Sequence, residues 1–245
     1  MTHNLAIILV RPRDPNNIGA AARAMANFGW EELRVVSPFE PTWRSAVSAV
    51  GAQDILLNAH LYDSLPQALG DCTFSLAATA LKNRKLGQSV ISLPDLPALL
   101  QEKTPEKTAL VFGNEKTGLS NEDIALCSAV LHIPTTAKQP SVNLAQAVIL
   151  ACYELARATP PEQKPSPLAP QRATFAQTEM VVEELEHLMQ RADLKTDYSP
   201  EQRKSLLRDL LHKTDLSKND LFFIKTFASH LNAPHKRHPN EKPQS

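Results

Sequence analysis

The chain has 245 residues, 42% of them hydrophobic, and its 26 basic and 26 acidic residues cancel to a formal net charge of zero. This length and composition suit one well-packed core with a smaller appendage. Zero net charge argues against a protein that coats nucleic acid with a uniformly basic surface, so any such contact has to depend on a few locally placed cations.

The cysteines and the lengths of the apolar runs indicate the cellular compartment in which the protein is expected. Cys72, Cys127 and Cys152 are far apart and form no CxxC pair, which argues against a disulfide framework or a zinc site and favours buried thiols in a reducing compartment. No apolar run approaches the length of a membrane span, and the first ten residues are too short and uncharged for a signal peptide. We therefore expect a cytoplasmic protein that binds neither a metal nor a membrane.

Predicted strands and helices alternate along the first 157 residues. The run Leu5–Val10 (LAIILV) is unbroken, apolar and rich in branched residues, which is typical of a strand buried on both faces. The same reasoning predicts strands at residues 33–36, 73–78, 109–112 and 130–133, and helices at 45–59, 65–69, 96–102 and 143–157. This alternation indicates an α/β fold in which helices cover both faces of a parallel sheet.

The first helix is predicted between the first two strands, where Ile18, Ala22 and Met25 recur at helical spacing. Asn16 or Asn17 is the expected N-cap and Gly29 the C-terminal stop.

The composition changes after residue 157. Residues 158–174 contain five prolines and no apolar periodicity, so they are predicted to form an extended linker. Helices are predicted at 175–192, from a cap at Ser199, and at about 217–231. The domain prediction is thus an α/β domain at 1–157, a linker at 158–174, a helical extension at 175–232 and a disordered tail at 233–245.

Three common loops of α/β proteins are absent from the sequence. No G-x-G-x-x-G follows the first strand, no G-x-x-x-x-G-K-[ST] occurs, and there is no G-x-S-x-G. Their absence argues against a dinucleotide-binding site, a P-loop NTPase and an α/β-hydrolase. In an α/β sheet without these loops, the place to look for a site is still the C-terminal ends of the strands.

Three polar stretches follow predicted strands. They are LVRPRDPNNIGAAARAM (residues 9–25), VFGNEKTGLSNED (111–123) and IPTTAKQPSVNLAQA (133–147). A glycine after one strand, or an Asn or Ser before one helix, commonly serves only the turn or the cap. Three polar loops at one edge of a sheet instead predict a site there.

Together the three stretches resemble the three signature motifs of the SPOUT superfamily of RNA methyltransferases. The resembling segments are NIGAAAR (17–23), FGNEKTGL (112–119), and IP (133–134) with SVNLA (141–145). Their order, spacing and strand-loop-helix context agree over about residues 1–157. Within the superfamily, these motifs and the helical extension resemble the TrmJ branch of the SpoU (TrmH) family, which methylates ribose 2′-oxygens of tRNA.

The resemblance implies a fold that periodicity does not predict. It implies that the C-terminal part of the parallel sheet is tied in a deep trefoil knot, and that two copies form a homodimer, knot against knot, with a shared active site. The face of Leu144, Val148 and Leu155, together with the first helix, is the expected dimer surface. The same residues also suit an ordinary core helix.

The resemblance also implies the chemistry, which is transfer of the methyl group of S-adenosylmethionine to a ribose 2′-oxygen of tRNA. Arg23 matches the residue that activates the hydroxyl. Because a guanidinium stays protonated, we favour a role in gripping phosphate and stabilising the developing alkoxide over a role as a base. The other expected catalytic residues are Glu115, Ser141 and Asn143.

Two further residue sets follow from the same resemblance. Cofactor-binding residues are expected at Thr79, Ala80, Leu81, Gly113, Ile133, Pro140, Ser141 and Val142. RNA-binding residues are expected at Arg11, Arg13, Asn17, Arg84 and Lys138.

One departure from the branch bears on the target. Gln139 stands two positions before Ser141, where the branch usually has tyrosine, which affects base preference. The expected target is nucleotide 32 of the tRNA anticodon loop. The alternatives are an rRNA 2′-O-methyltransferase of the same superfamily and a catalytically inactive, knotted RNA-binding protein.

Overall fold

The computed structural model describes residues 4–81, 87–158, 171–194, 196–214 and 216–232. Within them, seven strands form one parallel sheet: β1 Leu5–Val10, β2 Glu32–Val36, β3 His60–Tyr62, β4 Phe74–Ala78, β5 Val90–Ser92, β6 Thr108–Phe112 and β7 Ala129–His132. Their order across the sheet is β3-β2-β1-β6-β4-β7-β5. The predicted α/β class with a parallel sheet is confirmed.

Helices connect the strands and form the extension: α1 Pro15–Ala26, α2 Gln53–Asn58, α3 Leu65–Leu69, α4 Leu96–Lys103, α5 Asn121–Ala125, α6 Leu144–Arg157, α7 Phe175–Arg191, α8 Pro200–Lys213 and α9 Lys218–Asn232. Short 3-10 turns lie at Trp43–Ser45 and Leu93–Asp95. None of the helices described is long and apolar enough to cross a membrane.

The sheet is buried on both faces, as the apolar run of β1 predicts. Ile7 and Leu9 of β1 face a core that α1, α2, α4 and α6 cover. Ile8 and Val10, the alternate residues, face a second core that includes side chains of α3, α5 and the start of α7. Successive side chains of a strand point to opposite faces, so a strand between two helical layers needs apolar residues on both faces, as β1 has.

The helix predicted at residues 45–59 is wrong over most of its length. Residues 46–52 are irregular, α2 occupies only Gln53–Asn58, and β3 follows directly. Gly51 has φ +74°, a left-handed conformation that cannot continue a right-handed helix. The three-residue edge strands β3 and β5 were not predicted, because each is too short to show an alternating pattern.

The predicted N-cap of α1 is also wrong by two or three positions. Asp14, rather than Asn16 or Asn17, caps the helix by accepting a 2.9 Å hydrogen bond from the backbone N–H of Asn16. Pro15 takes the first helical position, where its missing N–H costs nothing. The end is as predicted: Gly29 has φ +74°, and the N–H of Trp30 donates to the carbonyl of Met25 at 3.0 Å.

The expected dimer face of α6 belongs to the core of its own chain. Leu144, Val148 and Leu155 are 5%, 0% and 1% exposed, so the reading as an ordinary core helix applies to these three residues. The large apolar side chains of α6 that are exposed are Leu150 and Tyr153. Tyr153 makes an edge-to-face contact with Phe28, with ring centroids 5.8 Å apart.

The extension packs against the α/β domain. Phe175, 6% exposed, enters the second core of the sheet, and its N–H donates to the carbonyl of Cys72 at 2.7 Å. The three helices also share a small core that includes Val181, Val182 and Leu211. Residues 159–170, most of the predicted linker, and the predicted tail at 233–245 lie outside the described residues.

Ion pairs join α7 to α8. Arg203, Lys204 and Arg208 of α8 contact Glu186, Glu183 and Glu179 of α7 at 2.9, 2.7 and 2.6 Å. Their engagement with α7 favours a role in holding the extension together.

Candidate active site

A cavity of about 580 Å³ opens where β4, β6 and β7 end. Its lining comes from residues 78–80 after β4, 112–118 after β6, and 133 and 139–144 after β7, with Ala147 from the second turn of α6. Parallel strands bring their C-terminal ends to one edge of a sheet, so segments far apart in sequence meet here. Two of the three predicted loops therefore line one cavity.

The predicted cofactor residues lie at this cavity with one exception. Residues 79, 80, 113, 133 and 140–142 all line it. Leu81 is not among its lining residues and packs against the second core of the sheet. Sequence reasoning missed Asn114, Thr117 and Leu144. The first two lie within the quoted GNEKTG motif, whereas no sequence signal separates Leu144 from an ordinary core residue.

Gly113 allows a close backbone crossing in the loop after β6. A Cβ atom on this residue would lie 2.1 Å from the carbonyl carbon of Gly118 and 2.2 Å from the nitrogen of Leu119. Asn114 closes the loop, because its Oδ1 accepts from the N–H of Lys116 at 3.0 Å and of Thr117 at 2.8 Å. The loop is therefore a compact turn that presents its outer atoms to the cavity.

Glu115 ties this loop to the start of α1. Its carboxylate accepts hydrogen bonds from the backbone N–H of Arg13 at 3.0 Å and from Asn17 Nδ2 at 2.9 Å, with a longer one from the N–H of Asp14 at 3.3 Å. Burial raises the pKa of the Glu115 carboxyl, but hydrogen bonds from its own backbone N–H and from these three donors outweigh burial and bring its pKa below the usual range. Glu115 is thus an anion held by donors at a helix start.

Asn143 ties the loop after β7 to the same helix. Its Oδ1 caps α6 by accepting from the N–H of Ala145 at 2.9 Å and, more weakly, from that of Gln146 at 3.3 Å. Its Nδ2 donates to Asn17 Oδ1 at 3.2 Å. Asn17 therefore binds both Glu115 and Asn143, and the three predicted loops meet in one hydrogen-bonded chain. Ser141 lines the cavity next to this chain.

Gly19, in the first of the three polar stretches, is a close-packing position within α1 and does not belong to the turn before it. It lies inside α1, buried, and a Cβ there would lie 2.3 Å from Ser48 Oγ and 2.9 Å from the Cβ of Ala46. The glycine lets α1 approach residues 46–49 closely, and Ser48 Oγ donates to the carbonyl of Asn16 at 2.7 Å.

The predicted cations differ in their surroundings. Arg23 is exposed in the last turn of α1, outside the cavity lining, and its guanidinium has no side-chain partner within the described ranges. Arg11 forms an ion pair with the buried Asp123. Arg13 lies over the ring of Phe39. Lys138 is exposed in the loop after β7, one residue before Gln139 of the cavity lining, and Arg84 lies outside the described residues.

The remaining candidate chemistries find little support in the described part of the chain. No group of three or more His, Cys, Asp or Glu side chains there could hold a metal ion. Cys72, Cys127 and Cys152 are buried, as predicted. Burial raises the pKa of each thiol to about 12, so none is poised as a nucleophile.

Comparison with known proteins identifies the family. Residues 4–153 match the SpoU rRNA Methylase family. The chain is 37% identical over 226 residues to the uncharacterized tRNA/rRNA methyltransferase LasT of Escherichia coli K12, covering 88% of this chain and 98% of that protein. It is 37% identical over 155 residues to the tRNA (cytidine-2′-O-)-methyltransferase TrmJ of Methanocaldococcus jannaschii, covering 62% and 66% of the two chains.

A solved structure covers the extension as well. The crystal structure of TrmJ from Z. mobilis ZM4 is similar with a TM-score of 0.80 at 30% sequence identity, covering 93% of this chain and 99% of that one. The resemblance of the three strand-end motifs to TrmJ is thus confirmed, and the chain belongs to the SpoU rRNA Methylase family of RNA methyltransferases.

Proposed function

We propose that this protein transfers the methyl group of S-adenosylmethionine to a ribose 2′-oxygen of tRNA. The observation that carries the proposal is the cavity at the strand ends, bordered by the hydrogen-bonded chain Glu115–Asn17–Asn143. Several relatives are named as tRNA 2′-O-methyltransferases, which supports the same reaction here.

The cavity suits the proposed cofactor. Its volume of about 580 Å³ lies within the range of small-molecule sites. The lining mixes apolar side chains such as Phe112 and Val142 with the polar Ser141 and Thr117, and an adenosyl group with a charged amino-acid tail needs both. Backbone N–H and C=O groups of residues 79–80 and 139–142 would hold the adenine and ribose without a glycine-rich motif. The cofactor supplies an electrophilic methyl group on a sulfonium.

The protein's contribution to the reaction is placement of the attacking oxygen. The 2′-hydroxyl must lie in line behind the methyl group, so positioning supplies much of the acceleration. The Arg23 guanidinium would grip the neighbouring phosphate and stabilise the developing alkoxide. Glu115 and Asn143 would act by holding α1 against the cavity, and Ser141 by hydrogen bonding to the cofactor or ribose.

We extend the proposal to a homodimer with a shared site. Arg23 is exposed and lies outside the cavity lining of its own chain, so it would serve the cavity of a second copy. Leu150 and Tyr153, 40% and 49% exposed on α6, offer apolar surface for such a contact. A deep trefoil knot in the C-terminal part of the sheet belongs to the same proposal, and the position of β4 between the later strands β6 and β7 supports it.

Nucleotide 32 of the anticodon loop is the proposed target, and Asn17, Arg11, Arg13, Arg84 and Lys138 are the proposed RNA contacts. Gln139 lines the cavity, which supports a part for it in base preference.

The test uses the purified full chain with labelled S-adenosylmethionine and tRNA from cells that lack this protein. We expect methylation of tRNA, mapped to the 2′-oxygen of nucleotide 32, and its loss in Arg23→Ala. Arg23→Lys, which keeps the charge but not the planar fork, should recover only part of the rate. Methylation of rRNA alone would assign the substrate to the ribosome, and absence of S-adenosylmethionine binding would overturn the proposal.

A further inference from the structure

Arg13 and Phe39 form an exposed stacked pair at the edge of the sheet that carries the cavity. The guanidinium carbon of Arg13 lies 4.6 Å from the centroid of the Phe39 ring. Phe39 is 63% exposed and Arg13 is also exposed. A large aromatic side chain in this position contributes little to the core, because most of its surface remains in water.

The backbone holds the pair in place. The two residues follow neighbouring parallel strands, β1 and β2, and the N–H of Phe39 donates to the carbonyl of Pro12 at 3.0 Å. The residues directly after the two strands, Arg11 and Ser37, have φ +50° and +43°. Non-glycine residues rarely adopt this left-handed conformation, and it costs about 1 kcal/mol or more per residue. Both loops thus turn sharply in the same place, which brings Arg13 over Phe39.

The pair is attached to the cavity through Glu115. The backbone N–H of Arg13 donates to Glu115 Oε2 at 3.0 Å, and Glu115 lines the cavity. Because the bond uses the backbone of Arg13, its guanidinium remains available for the ring. The backbone of Arg13 is therefore hydrogen-bonded directly to a residue that lines the proposed cofactor cavity.

We propose that Phe39 and Arg13 form a stacking platform for an unpaired nucleobase of the RNA substrate. This inference rests on the proposed function. Single-stranded RNA is recognised by stacking its bases on aromatic rings and guanidinium planes, and this pair offers one of each. The positive charge also attracts the phosphate that flanks the stacked base. A purely apolar partner would gain nothing from the guanidinium.

The test replaces the ring while keeping its apolar character. Phe39→Leu removes the planar face and Phe39→Trp enlarges it. The probes are a fluorescently labelled anticodon stem–loop RNA and full-length tRNA, with the full chain. We expect Phe39→Leu to weaken RNA binding by about tenfold, with a raised KM for RNA, while kcat and S-adenosylmethionine affinity stay unchanged. Phe39→Trp should bind RNA at least as tightly as the wild type.

A second measurement separates stacking from a structural effect. RNAs that lack one base at a time within the loop are compared in wild type and Phe39→Leu. If the platform stacks on one base, the difference between the two proteins disappears for the RNA without that base. The platform would be overturned if wild type and Phe39→Leu bound RNA equally tightly, or if Phe39→Leu and Phe39→Trp weakened RNA binding equally. It would also be overturned if Phe39→Leu bound every abasic RNA more weakly than the wild type does, or if the substitution changed the oligomeric state.

The two proposals fail in different ways. If wild-type protein methylates tRNA and Phe39→Leu does so with an unchanged KM, the platform is wrong and the proposed function stands. If wild-type protein binds no S-adenosylmethionine, the proposed function fails, whereas the affinity of the Phe39 variants for RNA still decides the platform.

Discussion

Asn143 Nδ2 donates a 3.2 Å hydrogen bond to Asn17 Oδ1 and so joins the start of α6 to the start of α1, 126 residues apart in the chain. The same Asn143 side chain caps α6 through its Oδ1. The Asn143 side-chain amide therefore has two separable roles, because its oxygen stabilises a helix and its nitrogen holds Asn17 in position. Asn17 in turn binds Glu115 at the cavity.

Two substitutions at Asn143 should separate these roles. Asn143→Ala loses both hydrogen-bonding groups and should lower the free energy of unfolding by about 1 kcal/mol, the usual value of an N-cap. Asn143→Asp keeps a capping oxygen but has no N–H for Asn17, so it should unfold like the wild type. Both variants should reduce kcat/KM for RNA methylation by about tenfold or more, because Asn17 loses its fixed position. Urea unfolding and initial rates measure the two effects. An Asn143→Asp enzyme with full activity would show that the bond to Asn17 has no part in catalysis.

Gly113 offers a sharper test of the cavity. Gly113→Ala should abolish S-adenosylmethionine binding, because the new Cβ would lie 2.1 and 2.2 Å from backbone atoms of Gly118 and Leu119, which cannot move without reshaping the loop. Gly70→Ala is the matched control: its nearest neighbour would be the Gln67 carbonyl at 3.4 Å, and its φ of −50° suits alanine. Calorimetric titration of both variants should find binding lost only in the first. Unchanged affinity in Gly113→Ala would mean that the cofactor does not use this loop.

The sequence predicts this site better than it predicts the contacts within it. The polar loops after residues 112 and 133 place the cavity correctly, because parallel strands end at one edge of a sheet. Nothing in the local sequence pairs Asn17 with Asn143, or Arg13 with Phe39, since these contacts depend on how two separate loops fold toward each other.

The errors in the predicted fold have local causes. Residues 45–59 contain apolar residues at helical spacing, but Gly51 in a left-handed conformation ends that pattern. Asn16 and Asn17 are good capping residues, yet Asp14 precedes a proline that begins the helix more favourably. The strand β5 has only three residues, so its pairing with β7 in space defines it more than its own sequence does.

Phe175 should matter for the whole chain, although it begins the extension. It is 6% exposed among side chains of α3 and the sheet, so Phe175→Ala should lower the free energy of unfolding by about 3–5 kcal/mol, the range for emptying a buried phenylalanine site. Phe222→Ala is the control, because Phe222 is 72% exposed on α9 and its removal should change stability by less than about 0.5 kcal/mol. Chemical denaturation of the full chain measures both. Equal effects would mean that α7 does not pack on the domain as described.

His212 should make stability depend on pH. Burial lowers the pKa of this imidazole below its usual 6.5, and the nearby Arg208 guanidinium lowers it further, against opposing contributions from Glu179, Asp209 and the Cys127 carbonyl. As the pH falls below about 6.5, the unfolded chain takes up the proton first, so the folded state loses stability until its own lower pKa is passed. The effect is limited to about 1.4 kcal/mol per pH unit for one proton.

The matched variant is His212→Gln, which stays neutral at every pH and can still donate to the Cys127 carbonyl. We expect the wild type to lose more unfolding free energy than His212→Gln between about pH 7.5 and about pH 5.5, since only the wild type titrates at this position. Other histidines titrate equally in both proteins and cancel in the difference. Urea unfolding at the two pH values gives the four free energies needed. If the free energy of unfolding changed equally with pH in the wild type and in His212→Gln, His212 would have the same pKa in the folded and unfolded chain. Its contact with the loop before β7 would then not bury it.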